Sequence, residues 1–92
     1  MMANIVAGTN KFYIGEDEHK PIAEITFKPT DEHTIIADHT YVSDELRGQG
    51  VAGKLFDTLI KYARENNLKI IPECSYVQSK MEKTSDYDDV RA

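Results

Sequence analysis

The chain has 92 residues, of which 40% are hydrophobic and 29% charged, a composition that suits one small globular domain with a thin core. Sixteen acidic against eleven basic side chains give a formal net charge of −5, which argues against a general nucleic-acid or anionic-membrane binder. The single cysteine, Cys74, excludes an internal disulfide and a thiolate metal cluster. The first residues lack the basic and apolar regions of a secretion signal. We therefore expect one cytoplasmic domain over residues 1–92, as a monomer or weak homodimer.

The first 42 residues are typical of antiparallel strands. Short strands are predicted over residues 4–7 and 11–14, and residues 21–28 alternate strictly between apolar and polar side chains. Polar segments at 16–21 and 29–33 predict the turns between them. A longer strand is predicted over Thr34–Val42, with Ile36, Asp38, Thr40 and Val42 on one face and Ile35, Ala37, His39 and Tyr41 on the other.

The second half of the chain predicts a helix, a strand and a shorter helix. Apolar residues recur at helical spacing from residue 50 to residue 65, and the Asn66-Asn67 pair predicts a left-handed stop. Residues 68–72 form a short apolar strand, which should lie parallel to the strand before the helix. Ser75 is the predicted cap of a second helix over 76–83. The acidic tail, 84–90, is expected either to add a last strand or to stay loose.

Three glycines, Gly48, Gly50 and Gly53, stand just before the main helix, and this arrangement is typical of an anion-binding loop. Their spacing matches the dinucleotide fingerprint G-x-G-x-x-G and most of a nucleotide P-loop. The P-loop interpretation fails because Leu55 occupies the position at which a Ser or Thr hydroxyl would bind Mg²⁺. The dinucleotide interpretation has a candidate in Glu73 for the carboxylate that binds the ribose. However, too many residues separate the glycines from the preceding strand.

The same loop also matches [Q/R]-x-x-G-x-[G/A] at Arg47, Gly50 and Ala52. Together with segments 39–42 and 72–76 and the predicted order of elements, it resembles the GNAT superfamily of N-acetyltransferases, more narrowly its small YjdJ-type domains. The resemblance implies an α/β (α+β) fold in a minimal GNAT-like version: a mostly antiparallel twisted sheet, one main helix and a parallel strand pair. It also implies acetyl-CoA as the co-substrate and no metal.

The resemblance further implies where acetyl-CoA binds. The pantetheine arm should pair with the edge of the strand at Thr40, Tyr41 and Val42, and Arg47 is expected to add its guanidinium to a phosphate. The thioester should then lie near Cys74. The CoA pyrophosphate should lie on the backbone N–H groups of the loop and helix start, that is on Gly48, Gln49, Gly50, Val51, Ala52 and Gly53.

Three residues are candidates for the chemistry of acetyl transfer. His39 is the main candidate for the base that keeps the amine neutral, although Glu24, Asp38 and Glu73 are conceivable, and a hydrogen-bonded polar strand residue is the simpler interpretation. Cys74 is either a nucleophile or a small group lining the thioester pocket. Tyr76 resembles in place the general acid of many GNAT enzymes, but a packing role is equally compatible with its position.

The expected function is acetyl-CoA-dependent N-acetyl transfer to a small or peptide-borne amine, without nucleic-acid or membrane partners. The chain lacks the extra helical pair and the C-terminal strands that shape the acceptor site in full-length GNAT enzymes. The alternative is therefore a CoA-binding or protein-interaction module with little or no turnover. A third hypothesis is that the protein binds a nucleotide.

Overall fold

The computed structural model describes residues 4–92, which form one five-stranded sheet and two α-helices. The strands lie in chain order across the sheet, and the first four are antiparallel while the last pair is parallel. The predicted mostly antiparallel sheet with one parallel pair is confirmed. The elements are β1 (Val6–Gly8), β2 (Lys11–Ile14), β3 (Ala23–Asp31), β4 (Thr34–Val42), α1 (Val51–Glu65), β5 (Lys69–Pro72) and α2 (Ser75–Glu82).

The alternation in β3 explains why one face of the sheet is covered. Ala23, Ile25 and Phe27 are buried at 0%, 0% and 7% exposure, while the intervening polar residues are more accessible. β3 runs to Asp31, so the predicted turn at 29–33 is too long, and only two residues separate β3 from β4. The longer hairpin extends the antiparallel ladder before the chain turns.

A β-bulge lies in the middle of β4. Thr26 of β3 pairs with His39, but the next residue, Phe27, pairs with Ala37, so Asp38 is the extra residue. A bulge of this kind reverses the alternation of side chains beyond it. The face assignment predicted for β4 is therefore wrong in its second half: Ile35, Ala37, Thr40 and Val42 lie toward the helices, and Ile36, Asp38, His39 and Tyr41 lie on the open face.

Helix α1 covers the apolar face of the sheet. It begins one residue later than predicted, at Val51, and the left-handed stop is confirmed, since Asn67 has a φ of 56°. Tyr62 packs on Phe12 and Phe27, with ring centroids 5.4 and 5.5 Å away. The buried side chains of the helix are Val51, Leu55, Phe56, Leu59, Ile60 and Ala63.

Helix α2 begins at Ser75, with Cys74 as its N-cap residue. The predicted cap at Ser75 is therefore wrong by one residue, and no side chain caps this helix. Val77 and Met81 are fully buried in the same core as α1. Neither helix in the described part of the chain has the length and hydrophobicity needed to cross a membrane.

The acidic tail packs against the body of the protein. Val90, in a short 3-10 turn, is only 2% exposed, and Arg91 makes a single parallel bridge to Ile70. Arg64 holds the tail through Asp89, with Nε 2.9 Å from Oδ2, and this contact lowers the pKa of the Asp89 carboxyl. Neither a full strand nor a loose tail is formed.

The buried face of α1 gives a direct test of the core. Replacing Leu59, which is fully buried, by alanine should lower the free energy of unfolding by about 2–5 kcal/mol because a cavity is left. The matched change of exposed Lys61 to alanine on the same helix should alter it by less than about 0.5 kcal/mol. Urea denaturation of both variants measures the difference, and equal effects would contradict the placement of α1.

Candidate functional site

The parallel strands β4 and β5 separate halfway along β4. Their last paired residues are Ala37 and Pro72, and the amides of Glu73 and Cys74 then both donate to the Ala37 carbonyl, at 3.0 and 2.8 Å. These two bonds turn the chain out of the sheet and into α2. Beyond this point β4 is paired only with β3. A cleft therefore opens between the end of β4 and the start of α2.

The free edge of β4 presents backbone groups to this cleft. The Ser43 amide donates to the carbonyl of Ile22, the residue just before β3, at 2.8 Å, and hydrogen-bonded pairs alternate with non-bonded pairs along an antiparallel ladder. The peptide groups of Val42 and Thr40 consequently point away from β3. Tyr41, between them, directs its peptide groups to β3 and its side chain to the open face, where it is 41% exposed.

The glycine loop follows β4 and leads into α1. Gly48 and Gly50 have φ values of +82° and +72°, and Gly50 is the N-cap residue of the helix. A Cβ at either position would meet no atom within 4 Å. The left-handed backbone, rather than lack of space, therefore explains why glycine stands at these two positions.

The amides of residues 48–53 are free of protein acceptors. Within the described residues, none of these six N–H groups makes a hydrogen bond to the backbone or to a side chain, whereas the next amide, that of Lys54, bonds to the Gly50 carbonyl at 3.2 Å. Free N–H groups at a helix start carry a partial positive charge. The loop is thus a ready binding site for an anion.

A shallow cavity of about 210 Å³ lies directly over this loop. Larger hollows, of about 450 and 410 Å³, lie at the other end of α1 along the tail, but charged side chains such as Arg64 and Asp89 bridge that region with each other. The small cavity combines free amides with the free edge of β4. It is lined by Val42, Leu46, Arg47, Gly48, Gly50, Val51, Ala52, Gly53 and Tyr76.

The cleft brings together two of the predicted catalytic residues. Cys74 Sγ lies 3.4 Å from Thr40 Oγ1 across the point where the strands diverge. The Tyr76 hydroxyl lies beside the first turn of α1, close to Gly53. Burial raises the pKa of Tyr76, and the negative charge of Asp57 acts in the same direction. The phenol therefore stays protonated to a more alkaline pH than an exposed tyrosine does.

His39 lies on the other face of the sheet, because of the bulge. Its side chain is 55% exposed, and Nε2 lies 3.8 Å from Glu24 Oε2. The adjacent Asp38 accepts a hydrogen bond from the Thr26 hydroxyl at 2.5 Å. His39 is thus separated from Cys74 by the thickness of the β4 backbone.

Arg47 is held away from the amides of the loop. Its Nε donates to the Val42 carbonyl at 3.3 Å, and its guanidinium pairs with Asp44 at 3.3 Å. The side chain is 69% exposed. In this position it covers part of the free edge of β4.

Sequence reasoning missed two features of the site. The bulge at Asp38 has no glycine or proline to signal it. Ser43, just before the loop, has a buried hydroxyl oxygen with no partner among residues 4–92. In that same range, no group of three His, Cys, Asp or Glu side chains is arranged to hold a metal ion.

Comparison with known proteins identifies the family. A family model described as GCN5-related N-acetyl-transferase matches residues 11–90. The chain therefore belongs to the GCN5-related N-acetyltransferase (GNAT) family, and the resemblance seen in the sequence is confirmed. No curated protein sequence matches the chain.

Solved structures agree with this assignment. The chain is 51% identical to a GCN5-like protein from Staphylococcus aureus with a solution structure, at a TM-score of 0.81 over 98% of this chain and 88% of that one. A GNAT family acetyltransferase from Elizabethkingia anophelis with acetyl-CoA bound has a TM-score of 0.58 and 18% identity, over 79% of this chain and half of that one. A ribosomal-protein-alanine N-acetyltransferase from Brucella melitensis biovar Abortus 2308 has a TM-score of 0.53 and 23% identity, over 89% and 62%. The predicted GNAT-like fold is confirmed.

Two glycine substitutions should change stability in opposite directions. Gly50→Ala forces alanine into a left-handed conformation and should cost about 1–2 kcal/mol. Gly53→Ala lies in the first turn of α1, where the new Cβ would make an ordinary van der Waals contact with the Tyr76 hydroxyl at 3.8 Å. It should stabilise by up to about 1 kcal/mol. Chemical denaturation measures both values. A stabilising Gly50→Ala would contradict the loop conformation.

The Tyr76 hydroxyl should ionise above the usual tyrosine pKa of about 10. The near-ultraviolet alkaline titration of the wild type minus that of Tyr76→Phe isolates this one phenol. Because the pKa is raised in the folded state, the stability that Tyr76 contributes is present below the unfolded pKa and is lost as the pH rises through the folded pKa. A midpoint at or below the usual value would show that the hydroxyl is not in the buried position described.

Proposed function

We propose that this protein is an acetyl-CoA-dependent N-acetyltransferase that binds the coenzyme at the glycine loop. The observation that carries the proposal is the set of free amides at residues 48–53 beside the open edge of β4. Family membership and the acetyl-CoA bound to the structural neighbour from Elizabethkingia anophelis point to the same ligand.

The loop supplies what a diphosphate needs in an acidic protein. The net charge of −5 repels anions at long range, so the attraction has to be local. Backbone N–H groups of Gly48, Gln49, Gly50, Val51, Ala52 and Gly53 provide it without a counter-charge, and the α1 dipole adds to it. The Arg47 guanidinium reaches a phosphate once it releases the Val42 carbonyl.

The edge of β4 extends this binding site toward the cleft. The carbonyls and amides of Thr40 and Val42 face away from β3 and can pair with the two amides of the pantetheine arm, the Val42 carbonyl once Arg47 has released it. This pairing leads the thioester toward Cys74 and Tyr76, which stand on the far side of the cleft. The side chain of Tyr41 is not needed, because it lies on the other face.

The chemistry then assigns a role to each candidate. A neutral amine attacks the thioester carbonyl carbon, the carbon–sulfur bond breaks, and the leaving thiolate takes a proton from the Tyr76 phenol. His39 accepts the proton that the amine loses. In the direct route Cys74 only lines the thioester pocket. In the covalent route the Cys74 thiolate attacks the thioester carbon first, and the CoA thiolate leaves with the proton from Tyr76. The amine then attacks the new Cys74 thioester, loses its proton to His39, and releases the Cys74 sulfur again as a thiolate.

A module that binds CoA without turnover is the second candidate. The observation that favours it is size, since the chain spans half the length of the neighbour with acetyl-CoA bound. Among residues 4–92, nothing packs over the open face of the sheet, where Tyr41 and Ile71 are exposed. Binding is common to both candidates, and turnover separates them.

Binding is tested by placing a carboxylate in the loop. Ala52→Asp puts a negative charge at the start of α1, where it stabilises the helix dipole but competes with a diphosphate for the same amides. We expect unchanged or higher stability and at least a tenfold weaker acetyl-CoA affinity by calorimetry, equivalent to about 1.4 kcal/mol. Thr30→Asp, an identical charge change at the opposite end of the sheet, should leave the affinity within about twofold. Wild-type affinity of Ala52→Asp for acetyl-CoA would refute the binding of the diphosphate by these amides.

Turnover is tested by thiol release from acetyl-CoA with three amines: spermidine, a lysine-containing peptide and a peptide with a free alanine N-terminus. Tyr76→Phe should lower kcat by roughly 100-fold while leaving acetyl-CoA binding intact. Cys74→Ala separates the two routes, because only the covalent one needs the sulfur. Background thiol release by a wild type that binds acetyl-CoA would instead support the binding module.

A further inference from the structure

We propose that Glu24 positions His39 as the base, and that the amine acceptor reaches the thioester across the open face of the sheet. This inference rests on the proposed acetyl transfer and adds a side of approach and a positioning residue to it. The observation behind it is the row of contacts from Lys11 through Glu24 to His39 on three adjacent strands.

The direction of approach follows from what covers each face of the sheet. On one face, α1 and α2 pack over the core, and Thr40 and Cys74 lie in contact beneath them. The mouth of the cleft at the glycine loop is taken by the coenzyme in the proposed complex. The other face is open along the described strands, with Tyr41 41% and Ile71 39% exposed. An acceptor therefore has access to the diverging end of β4 from that face.

Glu24 is held rigidly on this open face. Its carboxylate is only 15% exposed, and Oε1 accepts a hydrogen bond from Lys11 Nζ at 2.8 Å. The same ammonium group donates to the Glu18 carbonyl at 2.9 Å, which fixes it on a second side. Because one oxygen of the carboxylate is held in this way, the other oxygen, Oε2, stays directed at a neighbouring side chain on β4.

That neighbour is the imidazole of His39. Its Nε2 lies 3.8 Å from Glu24 Oε2, which a small ring rotation closes to a hydrogen bond. With Nε2–H donated to Glu24, the other ring nitrogen is the one that accepts a proton from the acceptor amine. The carboxylate also stabilises the imidazolium that forms. Glu24 thus acts through His39 and does not touch the substrate.

The bulge is what makes this arrangement possible. In a regular strand His39 would point to the helix face, as the alternation of its sequence predicts. The extra residue Asp38 moves His39 to the open face opposite Thr26, two pairs along the ladder from Tyr41 and Glu24. Asp38 itself is held by Thr26 and by Lys28, whose Nζ lies 3.5 Å away. Its charge is thereby compensated and leaves Glu24 as the partner of the imidazole.

A double-mutant cycle tests the proposal. With the three amines named above, Glu24→Gln should lower kcat roughly tenfold or more and His39→Ala roughly 100-fold. Because Glu24 acts only through His39, adding Glu24→Gln to His39→Ala should cause no further loss. The acetyl-CoA affinity and the KM for the amine should stay within about twofold, since neither group binds the coenzyme in the ground state.

The chain contains a matched control pair. His33 and Glu32 lie at the turn between β3 and β4 with Nε2 and Oε2 3.9 Å apart, but their side chains are 73% and 92% exposed. Glu32→Gln removes the same charge next to the same kind of ring. It should leave kcat within about twofold, as expected for an exposed pair.

The outcomes separate this inference from the proposed function. An active wild type with full kcat in Glu24→Gln, or with additive losses in the double variant, overturns the role of Glu24 and leaves acetyl transfer standing. A wild type that binds acetyl-CoA but acetylates none of the three amines overturns both. The positioning role is supported if Glu24→Gln lowers kcat and Glu32→Gln does not. In addition, Glu24→Gln should cause no further loss of kcat when His39 is already alanine.

Discussion

The Ala37 carbonyl is the point on which the site depends. It accepts two amides, those of Glu73 and Cys74, and so ends the pairing of β4 with β5 while β4 continues along β3. Without these two hydrogen bonds to one carbonyl, the pairing of β4 with β5 would continue, and β5 would cover the free edge of β4. The cleft therefore begins at the backbone geometry of this one carbonyl.

The β4 bulge distributes the functional groups between the two faces of the sheet. Beyond it, Thr40 contacts Cys74 on the side of the helices, while His39 and Glu24 face the opposite side. In the proposed mechanism, the coenzyme and the acceptor therefore reach this strand from opposite faces of the sheet. Helix α1 contributes at its N-terminus, where its first amides are free for a ligand because the preceding loop offers them no acceptor.

Local patterns predicted most of the elements and the position of the glycine loop before α1. The alternation in β3, the apolar stripe of α1 and the stop at Asn67 are each visible over a few residues, and each is confirmed. The faces of β4 were not predictable in the same way, since a bulge depends on how Thr26 and Phe27 meet the partner strand. For the same reason the pattern alone placed His39 on the wrong face. The contacts of the tail with Arg64 are equally long-range and leave no local signal.

The contact of Arg47 with the Val42 carbonyl has a consequence for how the loop meets its ligand. In the free protein this guanidinium, tethered to Asp44, substitutes for the hydrogen-bond donor that a bound molecule would bring. In the proposed complex, binding proceeds by exchange: a donor of the ligand replaces Arg47 at the Val42 carbonyl, and the released guanidinium pairs with the negative charge of the ligand.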